Sequence, residues 1–219
     1  MRPVIIVFAK APTPGRVKTR LIPPLDAEGA AALHSAFVLD TIVSLQSLTP
    51  IADLELHTDT ETAAWKGVPV PRRVQHEGDL GLKMLKALGA ALERGHPRAF
   101  IFGSDSPNLP IGHVRALLDL DADLVFGPAD DGGYYAIGAR RVRPEIFAAV
   151  RWSTPYALGD TIRSAEACGL TTVNGPGWFD IDDASGLDRL RTAGSIPHHT
   201  AEALKTWMAG ARETGRKRA

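Results

Sequence analysis

The chain has 219 residues, of which 44% are hydrophobic, and its 25 Lys and Arg balance 25 Asp and Glu. That length supports one sizeable core and a single domain, while the balanced charge excludes a global pull toward nucleic acid or an anionic membrane surface. A single cysteine, Cys168, excludes an internal disulfide framework and a cysteine-built zinc knuckle, as expected of a reducing compartment.

The N-terminal apolar run stops at Lys10. It is too short for a membrane span and lacks a small-residue cleavage site, so it reads as the first strand, residues 4–9, of a cytoplasmic protein. Residues 27–48 predict a helix, since Ala30, Leu33, Phe37, Val38, Ile42 and Leu45 share a face. Strands are expected over 53–58 and, weakly, 72–75. Asp79 is placed to cap a helix carrying Leu85, Leu88 and Leu92. Next come a strand at 99–102, a helix at 111–120 and a strand at 122–127. Residues 134–138 form a strand with no helix before it, which predicts an antiparallel insertion. Helices are expected over 156–168, 185–193 and 199–209, with a short strand at 170–173. The domain thus covers residues 1–209, and 210–219 read as a disordered basic tail. Alternating strands and helices imply a mostly parallel sheet covered on both faces, with ligands beyond the carboxyl ends of its strands.

Four stretches at such ends carry chemistry. FAKAPTPGRVKTRL holds the cations Lys10, Arg16, Lys18 and Arg20, with Gly15 free to turn. Pro12 and Pro14 remove amide donors, so charged side chains rather than a backbone cradle would hold phosphate; the structural alternative is a solvated basic loop. In FGSDSPNLP, Asp105 is stiffened by Pro107 and Pro110 and suits a divalent ion; its structural alternative is a cap for the helix at 111. In GPADDGGYYAIG, Asp130 or Asp131 faces a ligand that Gly132 and Gly133 let approach, or the pair makes an ordinary hairpin turn; Tyr134 and Tyr135 point to opposite faces. In WFDIDDASGLDRL, Asp180 and Asp182 share a face around Ile181, and Asp183 caps the next helix; capping by all three acids is the alternative. Trp152, Ser153, Thr154 and Thr161 offer a polar wall for sugar or acceptor hydroxyls or, equally, belong to a helix start. The seven histidines have no zinc spacing, no GxSxG elbow occurs, and the first loop lacks GxGxxG.

Together these motifs resemble the nucleotide-diphospho-sugar transferase superfamily with the GT-A fold. More narrowly they resemble the bacterial arsenosugar-biosynthesis-type glycosyltransferases, up to about residue 195. The resemblance implies a three-layer α/β/α fold around a mostly parallel, Rossmann-like sheet. It also implies a nucleotide or nucleotide-sugar ligand and a Mg2+ or Mn2+ ion. Related guanylyl- and cytidylyltransferases grip a triphosphate with a Gly-rich first loop, whereas this loop keeps Gly15, Arg16 and Lys18 without further glycines. The metal-binding Asp-x-Asp of the glycosyltransferases corresponds here to Ser104, Asp105 and Ser106, so Asp182 must supply the second contact. The resemblance thus assigns Asp105 and Asp182 to metal and Asp131, Asp130 and Lys18 to catalysis. Lys10, Gly15, Arg16, Arg20, Gly132, Gly133 and Tyr134 bind substrate. Glycosyl transfer is expected first, nucleotidyl transfer second, and a nucleotide-sugar binding module without turnover third. Leu and Val on an edge strand offer a surface for a homodimer.

Overall fold

The computed structural model describes the backbone of residues 1–216 and the side chains of residues 1–207. Strand β1 (Val4–Ala9) is an unbroken apolar run, and its alternate residues enter different cores. Ile5, Val7 and Ala9 face one layer, and Val4 and Ile6 face the other. Such two-sided burial is what a central parallel strand requires. Strands β2 (Asp53–Thr58) and β4 (Ala99–Gly103) flank it in parallel, and β3 (Arg72–Val74) pairs with β2 at the edge.

Beyond β4 lie β6 (Tyr134–Ala139), β5 (Leu124–Pro128) and β7 (Thr172–Asn174), giving the order β3-β2-β1-β4-β6-β5-β7. Only β6 runs against its neighbours. The physical reason is local: just residues 129–133 join β5 to β6, too few for a crossover helix, so the chain must turn back. Gly138 then lets β6 approach its neighbours, since a Cβ there would lie 2.3 Å from the Phe100 ring.

Helices α1 (Ala27–Gln46) and α3 (Ile111–Asp119) cover one face. Helices α2 (Leu80–Glu93), α4 (Glu145–Ala148) and α5 (Ala157–Ala167) cover the other. A third apolar cluster lies outside α1, where Phe37 and Leu33 meet Phe179 and Ile181, Leu187 and Leu190 of α6 (Ala184–Thr192), and Leu204 of α7 (His198–Arg216). It anchors the extended segment 178–182 against the body of the protein. Burying each such large side chain contributes about 1.5–3 kcal/mol.

The expected caps are present: Asp79 accepts from Leu82 N–H at 2.8 Å and Asp183 from Gly186 N–H at 3.0 Å. Three details differ from expectation. The one-turn α4 is too short to show a period, and α5 ends at Ala167 with Cys168 as its C-cap, one residue before the expected end. The last helix continues to Arg216, so residues 210–216 are helical and only 217–219 of the expected tail lie outside the described residues. Among the described residues no helix is long and apolar enough to cross a membrane.

Candidate active site

The carboxyl ends of β1, β2 and β4 open onto a cleft of about 820 Å3. The loop after β1 forms one wall. Gly15, at φ 74, completes a turn in which Arg16 N–H donates to Thr13 O, and buried Val17 pins the chain just before Lys18. Lys10, Arg16, Lys18 and Arg20 all line the cleft. Gly15 itself does not: its contribution is the turn, since nothing lies within 4 Å of where its Cβ would be.

The expected metal ligands come together. Lys18, in a left-handed conformation at φ 47, sends its Nζ to 2.6 Å from Asp105 Oδ1, 2.8 Å from Asp182 Oδ1 and 2.7 Å from the Ile181 carbonyl. Its side chain is 4% exposed, whereas the two carboxylates keep 43% and 46% of their surface open to the cleft. The acids are therefore reachable from solvent while the ammonium is not. Burial pulls the Lys18 pKa down, but Asp105 and then Asp182 more than reverse this, so it stays charged. Enclosure by the cleft walls pushes Asp105 up, and the adjacent Lys18 charge outweighs that and holds it below the usual carboxylate range.

Two loops are stitched together to place these acids. Ile181 N–H donates to the Asp105 carbonyl at 2.8 Å, and Ser106 Oγ lies 2.8 Å from Phe179 O and 2.6 Å from Asp180 Oδ1. Ile181 is fully buried, so Asp180 and Asp182 both turn to the cleft as their alternation predicts. Asp105 is no helix cap; Pro110 occupies the N-cap position of α3.

Asp180 is the acid whose role sequence reasoning left unassigned. Its burial, followed by repulsion from Asp105, Asp182 and Asp131, pushes its pKa up to about 6 against the opposing bond from Ser106. Its alternation with Asp182 was the available signal. His34 of α1 was not foreseen at all, because nothing in a helical period marks one residue as lying beneath a loop. It is buried and donates from Nε2 to the Lys10 carbonyl at 2.9 Å, while its Nδ1 is buried without a partner and burial lowers its pKa.

The β5–β6 turn corrects two expectations, the places of Asp130 and of Gly132. Asp131 lines the cleft, with Oδ1 accepting from Gly133 N–H at 2.8 Å, so it is at once part of the turn and open to the cleft. Asp130 instead points away, paired with Arg189 in a side pocket of about 210 Å3, because the bond from its N–H to Trp178 O turns it toward α6. Gly133 lines the cleft, whereas Gly132, at φ 84, packs on Pro155, where a Cβ would lie 2.2 Å from the carbonyl. Tyr134 presents its ring to the cleft and its hydroxyl to Met84 Sδ at 3.8 Å, and burial raises its pKa. Tyr135 points to the opposite face and donates to Pro176 O. Trp152, Ser153 and Thr154 form the expected wall, but Thr161 is buried, its hydroxyl spent on Ala157 O.

A metal at this centre would rest on Asp105 and Asp182. Among the described residues no three His, Cys, Asp or Glu side chains converge to hold one. Two hard carboxylates in a wet cleft nonetheless fit Mg2+ or Mn2+, which complete their shells with water and phosphate oxygens.

The fold and sequence have counterparts. No curated protein matches the chain. A solved structure from Desulfovibrio desulfuricans G20, named as a candidate nucleotide-diphospho-sugar transferase, shares 33% identity, with 97% of this chain and 98% of that one covered and a TM-score of 0.85. A cytidylyltransferase from Leptospira borgpetersenii serovar Hardjo-bovis is similar in fold alone, at 12% identity, 97% and 96% coverage and a TM-score of 0.56. A CMP:2-keto-3-deoxy-manno-octonic acid synthetase complexed with CTP is likewise similar in fold, at 9% identity, 88% and 98% coverage and a TM-score of 0.56. Residues 41–154, just over half of the chain, match a family described as "Uncharacterized protein conserved in bacteria (DUF2064)". The chain belongs to this bacterial family and has the nucleotide-diphospho-sugar transferase fold.

Proposed function

We propose that this chain is a cytoplasmic, metal-assisted glycosyltransferase whose donor is a nucleotide-diphospho-sugar. The observation that carries the reading is the meeting of Asp105 and Asp182 on Lys18 beneath a basic loop, at the carboxyl ends of parallel strands. The name of the 33% identical relative supports the donor class. The cleft volume lies within the range of small-molecule sites.

The loop's donors argue for a diphosphate rather than a wrapped triphosphate. Pro12 and Pro14 have no N–H, Ala11 N–H is spent on Asp59, and the Thr13 and Arg16 amides are spent within the loop. Arg16, Arg20 and Lys10 therefore meet the diphosphate through side chains, stabilising the charge that develops on the leaving nucleoside diphosphate. A metal held by Asp105 and Asp182 would supply Lewis-acid neutralisation of that diphosphate. Asp131, fixed through Gly133 N–H, lies where it can contact the donor sugar or take the proton of an acceptor hydroxyl. The wall of Trp152, Ser153 and Thr154 offers an aromatic edge and two hydroxyls to a sugar.

Nucleotidyl transfer from a nucleoside triphosphate is the second reading, favoured by the four loop cations lining one cleft. Thermal shifts with Mg2+ and each nucleotide sugar or each triphosphate separate the two, because a ligand that binds the folded state raises its melting temperature. Stabilisation by nucleotide sugars is expected. Stabilisation by triphosphates alone would overturn glycosyl transfer in favour of nucleotidyl transfer.

A further inference from the structure

We propose that Lys18 and the divalent cation are alternative occupants of one site, so that the metal binds strongly only together with a diphosphate that accepts the displaced lysine. This gate rests on the metal-bridged donor proposed above and adds an order of assembly to it.

The geometry forces the competition. Lys18 Nζ holds Oδ1 of Asp105 and Oδ1 of Asp182, at 2.6 and 2.8 Å, on the two carboxylates that line the cleft. Mg2+ demands carboxylate oxygens at about 2.0–2.1 Å. A divalent ion at that distance from both oxygens would stand against the ammonium with no anion between, and two adjacent cations in a partly desolvated site repel strongly. One must leave.

Lys18 is built to leave without unfolding the loop. Its four-carbon stem is flexible, and on leaving it gives up only the attraction of the Phe37 ring, whose centre lies 5.6 Å from Nζ, besides the three oxygens. Arg16 and Arg20 line the same cleft and would hold a diphosphate within its walls. Without that anion, the displaced ammonium exchanges three close oxygens for water. With it, the phosphate oxygens replace them. Metal and diphosphate therefore raise each other's affinity, and thermodynamic linkage makes the effect equal in both directions.

The full chain and its Lys18→Met variant are titrated with Mn2+ alone, and bound ion is read from the loss of the free Mn2+ resonance. Removing the competitor should tighten Mn2+ binding at least tenfold. A second measurement on the unaltered protein does not depend on the variant folding: acetylation of Lys18, followed by mass spectrometry, should be slow, accelerate with Mn2+, and slow again when inorganic pyrophosphate is added with Mn2+. Unchanged or weaker Mn2+ binding by Lys18→Met, or acetylation indifferent to Mn2+ at a concentration that saturates the unaltered chain, overturns the gate. If neither protein binds Mn2+ even with pyrophosphate, the metal site of the proposed function falls with it. If both bind Mn2+ equally and Asp105→Asn abolishes this, only the gate falls.

Discussion

The backbone N–H of Ile181 donates to the carbonyl of Asp105 at 2.8 Å, and this bond joins the loop after β4 to the extended segment before α6. It aligns two acids from opposite halves of the chain so that both reach one lysine nitrogen. The bond is in the main chain, so side-chain substitutions at the site can remove chemistry while leaving this alignment in place.

Asp105→Asn is the direct application. The amide keeps the size of the side chain and its backbone bond but cannot bind a divalent ion as a carboxylate does. The fold should survive, and the Mg2+-dependent part of the thermal stabilisation by a nucleotide sugar should vanish. A variant that is still stabilised in a Mg2+-dependent way would remove Asp105 from the metal site.

Ser106→Ala should loosen the stitch itself. Its hydroxyl lies within hydrogen-bond reach of a buried carbonyl and of Asp180, and leaving such groups unpartnered costs about 1–3 kcal/mol. For a chain of this size each kcal/mol lowers the melting temperature by about 2–4 °C. Calorimetry checks this. An unshifted transition would show that residues 178–182 are held by the apolar cluster alone.

Two glycines with positive φ should respond differently to alanine. Gly15→Ala meets open space and should lose only the backbone cost, about 1–2 kcal/mol. Gly132→Ala carries the same cost and drives a Cβ to 2.2 Å from Pro155 O, so it should lose about 3 kcal/mol or more and displace the wall that bears Ser153 and Thr154. Denaturant unfolding of the two variants side by side tests the order.

Acid should weaken the fold at a place remote from the cleft. Burial raises the pKa of Glu55, but bonds from His57 at 2.8 Å, Arg94 at 2.8 Å and Arg73 at 3.1 Å prevail and bring it to about 2. A carboxyl whose folded pKa lies below its unfolded value stabilises fully above the latter, here 4.5, and progressively less as pH falls toward 2. After allowance for solvent screening of the arginines, this contribution is about 1–3 kcal/mol. Between pH 5 and pH 2, Glu55→Gln should lose less stability than the unaltered chain by that amount, read from urea midpoints.

Much of the fold was legible because periodicity is a local property. The unbroken apolar run of β1 and the acids Asp79 and Asp183 announced a buried strand and two helix starts that the structure contains. The antiparallel β6 could be anticipated from a connection too short to cross over. At the candidate site, the positions of Asp105, Asp131 and Asp182 at strand and loop ends were legible in the same way. The direction of Asp130 was not, because it depends on Arg189 and on the bond its backbone N–H donates to the Trp178 carbonyl, both remote in sequence. His34 was hidden for the related reason that burial beneath a loop leaves no mark on a helical repeat.

The amino-acid sequence by itself determined the alternation of strands and helices, the end of the sheet at which the cleft opens, and a basic first loop facing acidic later ones. Those features arise from residue spacing, which acts over a few positions. The tertiary structure alone decided that Asp105 and Asp182 meet, and that Lys18 is the charge between them. Their meeting depends on β1 lying beside β4 and on segment 178–182 bonding to the loop after β4. Contacts of such sequence separation arise from the packing of the whole chain, and no local pattern encodes them.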